Sequence, residues 1–178
     1  MNIAILAILV LNMKSLSKKE IEVISNLEFD KKYFFTRNDI KQYFKKEQQV
    51  TDFIFGLKKK GRILKINRTK YYLIPIKAKS GKWAEHPLII ADEICNGKDY
   101  LIGGWAAAYY WKLTDQISMQ FDIYTTRRQG RYRLMNTRFV FHRTTKQKIK
   151  NSIKREIEGH QFYILNKKDV KTWLKQRR

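Results

Sequence analysis

The chain has 178 residues, of which 43% are apolar and 13% aromatic, enough for a packed core and too aromatic for a disordered tail. Its 38 Lys and Arg outnumber 16 Asp and Glu, giving a net charge of +22; a charge of that size attracts polyanions, nucleic acid foremost. A single cysteine, Cys95, excludes an intramolecular disulfide framework and a cysteine-cluster zinc site, and it fits a reducing cytoplasm.

Residues 3–11 (IAILAILVL) are all apolar. The run is about half the roughly 20 residues that a bilayer crossing requires. No Lys or Arg precedes it and no small-residue cleavage site follows, so neither a membrane span nor a secretory signal is expected. Two readings stay open: an extra packing element, or an over-extended start with Met13 as the true first residue.

Ser17 followed by Glu20 and then Ile21, Ile24 and Leu27 predicts a capped amphipathic helix over about 18–28. Thr36 before Asp39, Ile40, Tyr43 and Phe44 predicts a second helix over about 37–45. A third is predicted over about 47–60, with Val50, Phe53, Ile54 and Leu57 on one face and Gly61 past its end. Residues 61–75 (GRILKINRTKYYLIP) then alternate apolar and basic side chains around Asn67-Arg68-Thr69, a hairpin with a charged tip.

Three helices and a hairpin describe a winged helix-turn-helix over residues 1–75. With its apolar residues inward, the third helix turns Gln48, Thr51, Asp52, Phe55 and Lys59 outward, toward a DNA major groove. Glutamine can read adenine edges, threonine and phenylalanine can touch thymine methyls, and Asp52 would repel phosphate unless it accepts from a cytosine amine. Lys58, Lys59, Asn67, Arg68 and Lys70 are expected on phosphates, anchoring without reading sequence. Winged helices also dock proteins, and the global charge tips the reading to DNA.

Residues 76–85 read as a linker and 86–178 as a mixed α+β domain. His86-Pro87 opens a helix that Gly97 follows, residues 100–102 form a short apolar piece, and 105–113 a small-residue helix. Residues 117–126 alternate as a strand, and 132–143 carry another strand centred on 139–141. Residues 146–157 read as a basic helix, 159–165 as a strand and 168–175 as a last helix. Residues 117–178 hold 17 basic against 4 acidic side chains. Arg127, Arg128, Arg131, Arg133, Arg138 and Arg143 form the densest arginine cluster, a second surface for nucleic acid or an acidic partner.

Signs of catalysis are sparse. Gly103-Gly104 lacks a phosphate-loop context, His86, His142 and His160 show no ligand spacing, and Asp122 has no carboxylate partner in its strand. No enzyme activity, cofactor or metal is expected, and Cys95 reads as a buried small hydrophobe.

The GRILKINRTKYYLIP segment, His86-Pro-Leu-Ile-Ile-Ala-Asp-Glu-Ile94, Leu101-Ile-Gly-Gly-Trp-Ala-Ala-Ala-Tyr-Tyr-Trp-Lys-Leu-Thr114 and Phe121-Asp-Ile-Tyr-Thr-Thr-Arg127 together resemble the AbiEi antitoxins of bacterial abortive-infection (type IV) toxin–antitoxin systems. Lys112 stands where that family usually has glycine. The resemblance covers roughly residues 20–165. It implies a transcriptional autorepressor on promoter repeats of double-stranded DNA, and an antitoxin domain neutralising a nucleotidyltransferase toxin without necessarily forming a stable complex. An RNA-binding protein using the C-terminal arginines, or a nuclease, are the alternatives.

Overall fold

The computed structural model describes residues 16–76, 78 and 85–177. The chain divides into two compact units, Met1–Trp83 and Ala84–Arg178. The apolar leader, residues 1–12, and most of the expected linker lie outside the described residues.

Ser17 opens α1 (Lys18–Phe29) with a reciprocal cap. The Glu20 N–H donates to Ser17 Oγ at 3.2 Å, and the Ser17 N–H donates to Glu20 Oε2 at 2.6 Å. Next come β1 (Phe34–Thr36), α2 (Arg37–Lys41), α3 (Glu47–Lys59), β2 (Ile63–Lys65) and β3 (Lys70–Leu73). β1 is too short for alternation to reveal, and its pairing with β3 makes an antiparallel sheet of order β1-β3-β2. The helix expected over 37–45 ends at Lys41, continuing as turns in which the Tyr43 N–H donates to Ile40 O and the Phe44 N–H to Lys41 O, both at 3.1 Å. Val23, Ile24, Leu27, Phe35, Ile40, Val50, Phe53, Ile54, Leu57, Ile63 and Leu73 form one core. Gly61, at φ +68°, reverses the chain after α3, and the Arg62 N–H closes the turn on Leu57 O at 2.9 Å.

The second unit is mixed α+β. His86 caps α4 (Pro87–Cys95), its Nδ1 accepting from the Leu88 N–H at 3.2 Å. Then follow β4 (Tyr100–Gly103), α5 (Gly104–Tyr110), β5 (Gln120–Thr125), β6 (Gly130–Leu134), β7 (Thr137–Arg143), α6 (Lys146–Lys150), β8 (Ser152–Ile157), β9 (His160–Leu165) and α7 (Lys167–Lys175). The strands form a six-stranded sheet of order β6-β7-β5-β4-β9-β8, with β5–β7 and β4–β9 parallel and the other pairs antiparallel. Its interior includes Tyr100, Ile102, Ile123, Phe139, Phe141, Phe162 and Ile164, each no more than 1% exposed.

Two sequence expectations are corrected. The strand centred on 139–141 is β7, but residues 132–134 belong to a separate strand, β6, and a tight turn at Met135-Asn136 divides the two. Met135 adopts φ +51°, a conformation that glycine or asparagine normally signals, and the lone Asn136 beside it is the weak cue to the turn. Residues 146–157 are not one helix: α6 ends at Lys150 and β8 begins at Ser152. Ile149, Ile153 and Ile157 have helical spacing, but Ile153, Arg155 and Ile157 also alternate as an edge strand, and pairing with β9 decides.

Gly103-Gly104 is a site of close approach. A Cβ on Gly103 would lie 2.7 Å from the Tyr124 ring, and one on Gly104 would collide with the Asp122 carboxylate. Gly104 also sits at φ +61°.

Two stability outcomes follow. Lys60 Nζ meets Glu20 Oε2 at 2.5 Å, tying the end of α3 to the start of α1. Burial pushes the Glu20 pKa up, but the hydrogen bonds from Lys60 and Ser17 outweigh it and hold the value below the ordinary 4.5. The stabilisation is therefore complete above that value and disappears as pH falls through the lower folded one. Glu20→Gln should cost about 2 kcal/mol at pH 7 and flatten the loss of stability below pH 4.5, read by urea unfolding across pH. Gly104→Ala should cost about 2–3 kcal/mol, read by thermal unfolding.

Candidate nucleic-acid interface

α3 buries Val50, Phe53, Ile54 and Leu57 and leaves Gln48, Thr51, Asp52, Phe55, Lys58 and Lys59 exposed. Its first turn is fixed by Gln49, whose Oε1 accepts from the Lys45 N–H at 3.0 Å and the Lys46 N–H at 3.1 Å. On the outer face, Gln48 Nε2 donates to Asp52 Oδ1 at 2.9 Å. The acidic residue thus meets an amide from its own helix, and the Gln48 side chain is engaged by that bond. Phe55 is 66% exposed, one helical turn on from Thr51 and Asp52. Lys58 and Lys59 follow at the helix C-terminus, where the backbone dipole favours cations. Lys60, the third lysine of the run, is held by Glu20 and belongs to the interior side.

Arg37 is a residue that sequence reasoning missed. Its guanidinium donates to Glu47 Oε1 and to Thr51 Oγ1, both at 2.8 Å, linking α2 to the outer side of α3. The same hydrogen bond holds the Glu47 carboxyl below its usual range. The spacing of Arg37 from Thr51 along the chain hides the contact, and no local motif marks it.

At the hairpin, the Asn67 side chain is structural. Its Oδ1 accepts from the Thr69 and Lys70 N–H groups, both at 3.0 Å, so it folds the turn. Ile66 is buried beneath the tip at 2% exposure. Arg68 and Thr69 are exposed, and Lys70 is half-buried.

The six clustered arginines from Arg127 to Arg143 do not form one surface. Arg127 Nη2 pairs with Asp99 Oδ2 at 2.6 Å, and the Arg128 guanidinium lies 3.7 Å from the centroid of the Phe141 ring. Register places Arg131 opposite Val140 and Arg133 opposite Arg138, so these three arginines share one face of the sheet. Arg143, in phase with Phe139 and Phe141, stands on the other.

His142 and His160, which show no ligand spacing in the sequence, each meet an aspartate. His142 Nε2 lies 2.8 Å from Asp122 Oδ1, which also accepts from Gln120 Nε2 at 3.1 Å. The parallel β5–β7 register aligns Tyr124 with His142, bringing Asp122 within reach across residues 20 apart. His160 Nε2 lies 3.0 Å from Asp92 Oδ2, while the Tyr100 hydroxyl donates to Asp92 Oδ1 at 2.6 Å and accepts from the Tyr163 N–H at 3.0 Å. Burial, then the Asp92 charge, pushes the Tyr100 hydroxyl pKa far up. Asp92, Glu93 and His160 bring potential metal-ligand atoms within 4.8 Å of one another. Both Asp92 oxygens already serve Tyr100 and His160, which makes the group a hydrogen-bonded core network. Burial pushes the Cys95 thiol up to about 12, leaving it without thiolate at neutral pH.

An exposed aromatic that supports no packing should be dispensable for stability. Phe55→Ala should change unfolding free energy by less than about 0.5 kcal/mol. Phe53→Ala, two positions earlier and 7% exposed, should cost about 3–4 kcal/mol in the same urea titration.

No protein-family profile matches the chain, and no curated protein matches it at a significant level.

Proposed function

We propose that residues 16–76 form a winged helix-turn-helix that binds double-stranded DNA, and that the protein is a sequence-specific regulator of the AbiEi antitoxin kind. The order α1-β1-α2-α3-β2-β3 and the small antiparallel sheet support this reading. The observation that carries it is the outer side of α3, where an unsupported Phe55 sits with Gln48, Thr51 and Asp52 ahead of exposed Lys58 and Lys59. α3 lies in the major groove, Phe55 and Thr51 meet thymine methyls, and Gln48 reads adenine. Arg68 at the hairpin tip and the two lysines hold phosphates. Arg37 fixes Thr51 and keeps α2 and α3 in one orientation.

In this reading the protein represses its own promoter, and the second unit neutralises a nucleotidyltransferase toxin of an abortive-infection system, in the cytoplasm. No helix among the described residues is long and apolar enough to cross a membrane. A second reading, RNA binding by the second unit, draws on Arg131, Arg133 and Arg138 sharing one sheet face.

Binding to DNA upstream of its own gene should show a log–log salt slope near −5, for about six phosphate contacts. Lys59→Ala and Arg68→Ala should weaken binding to every sequence and flatten that slope by about one each. Gln48→Ala should cost about 1–3 kcal/mol at particular base pairs only. Fluorescence anisotropy on specific and random duplexes separates the two effects. Equal loss of specific and random binding for Gln48→Ala would remove α3 as the reading element. Competition with RNA at matched salt tests the second reading.

A further inference from the structure

We infer that the second unit holds a binding site for a single nucleotide, in the cavity between one face of its sheet and helices α5 and α7. This site is separate from the duplex-reading surface and does not depend on it. The cavity measures about 780 Å³, within the range that holds a small ligand of about 300–1,000 Å³.

One wall is cationic. Arg133 on β6 and Arg138 on β7 are directly opposite each other in the antiparallel ladder, and both line the cavity. Two like charges in that position destabilise a sheet. Among the described residues neither has a carboxylate within ion-pair distance; Arg133 Nε donates to Met135 O at 3.2 Å. An anion bridging the two guanidinium groups would remove the repulsion and satisfy their planar donors.

The opposite wall is aromatic. Trp105 on α5 and Trp173 on α7 meet edge to face at 5.4 Å, and Trp105 is 36% exposed. Arg177 lies 4.7 Å from the Trp173 ring centroid and adds a third cation. On the sheet side, beside the arginines, Tyr124 stacks on His142 at 4.9 Å and adds a second aromatic pair to the lining. Flat π-faces suit a base, which stacks without regard to sequence. Asp122 also lines the cavity: its Oδ1 takes His142 and Gln120, and Oδ2 makes no hydrogen bond among the described residues. That oxygen packs against Gly104 at the edge of the cavity, and its unused lone pair is an acceptor suited to a sugar hydroxyl. Paired arginines, tryptophans and a carboxylate acceptor in one cavity match the three parts of a nucleotide: phosphate, base and sugar.

The full chain is titrated calorimetrically with ATP, with adenosine and inorganic phosphate as fragments, and with a 5′-phosphorylated single-stranded hexanucleotide. ATP or the hexanucleotide should saturate one site per chain, with either fragment binding at least about tenfold more weakly. Arg138→Ala and Trp173→Leu should each weaken binding about tenfold. Arg143→Ala, on the other sheet face, should leave it unchanged and so exclude general attraction to a basic protein. The tighter of ATP and hexanucleotide identifies the source, a free nucleotide or a strand end. Circular dichroism checks that the variants fold, and the exposed Arg138 gives a variant whose folding does not depend on packing. Failure of both ligands to saturate, phosphate binding as tightly as ATP, or full affinity in the folded Arg133→Ala, Arg138→Ala double variant would overturn the assignment.

Discussion

The contact between Lys60 and Glu20 decides which lysines of the first unit face outward. Lys58 and Lys59 end α3 and Lys60 caps it, and three consecutive residues there cannot all point the same way. Glu20 is already committed to the cap of α1 through Ser17, and it takes Lys60 at 2.5 Å. Lys58 and Lys59 are then carried to the solvent side, next to the exposed outer residues of α3. One carboxylate thereby starts a helix, fixes the end of another and sets the charge pattern of the face between them. The buried stripe of α3 completes the constraint, since Val50, Phe53, Ile54 and Leu57 leave a single rotation about the helix axis.

The second unit is organised by close backbone approach. Gly103 and Gly104 allow β4 to run into α5 without intervening residues, with Tyr124 and Asp122 of β5 pressed where side chains would stand. α5 therefore leaves the sheet directly above β5, and Trp105 and Trp173 meet in an edge-to-face contact. The polar core network of Asp92, Tyr100, His160 and Tyr163 joins α4, β4 and β9 by a different means, hydrogen bonds in place of small residues.

Much of the first unit could be read from residues alone, because its determinants are local. Ser17 with Glu20, the four apolar positions of α3, and Gly61 each act within one or two helical turns. The outward placement of Gln48, Thr51, Asp52 and Phe55 followed from that periodicity. What could not be read were contacts between elements: Arg37 reaching Thr51, Lys60 separated from its neighbours, and Asn67 spent on its own turn. In the second unit the failures are larger because pairing across the sheet outranks local preference. The isoleucines of 149–157 satisfy two periods at once, and β9 chooses between them. A methionine at positive φ concealed the β6–β7 turn, and with it the opposition of Arg133 and Arg138. The arginine cluster was legible as composition, but its division between two faces depends on strand phase.

The flanking strands of the six-stranded sheet carry a further meaning. β6 presents Arg131 and Arg133 to solvent, and β8 presents Lys154 and Arg155. Cations along both open borders repel an incoming strand of the same chain, which protects an unclosed sheet from growing into aggregates. That protection is electrostatic, so a polyanion lying along either border would screen it. Any polyanion that gathers copies of this chain would therefore also weaken the mutual repulsion of their sheets.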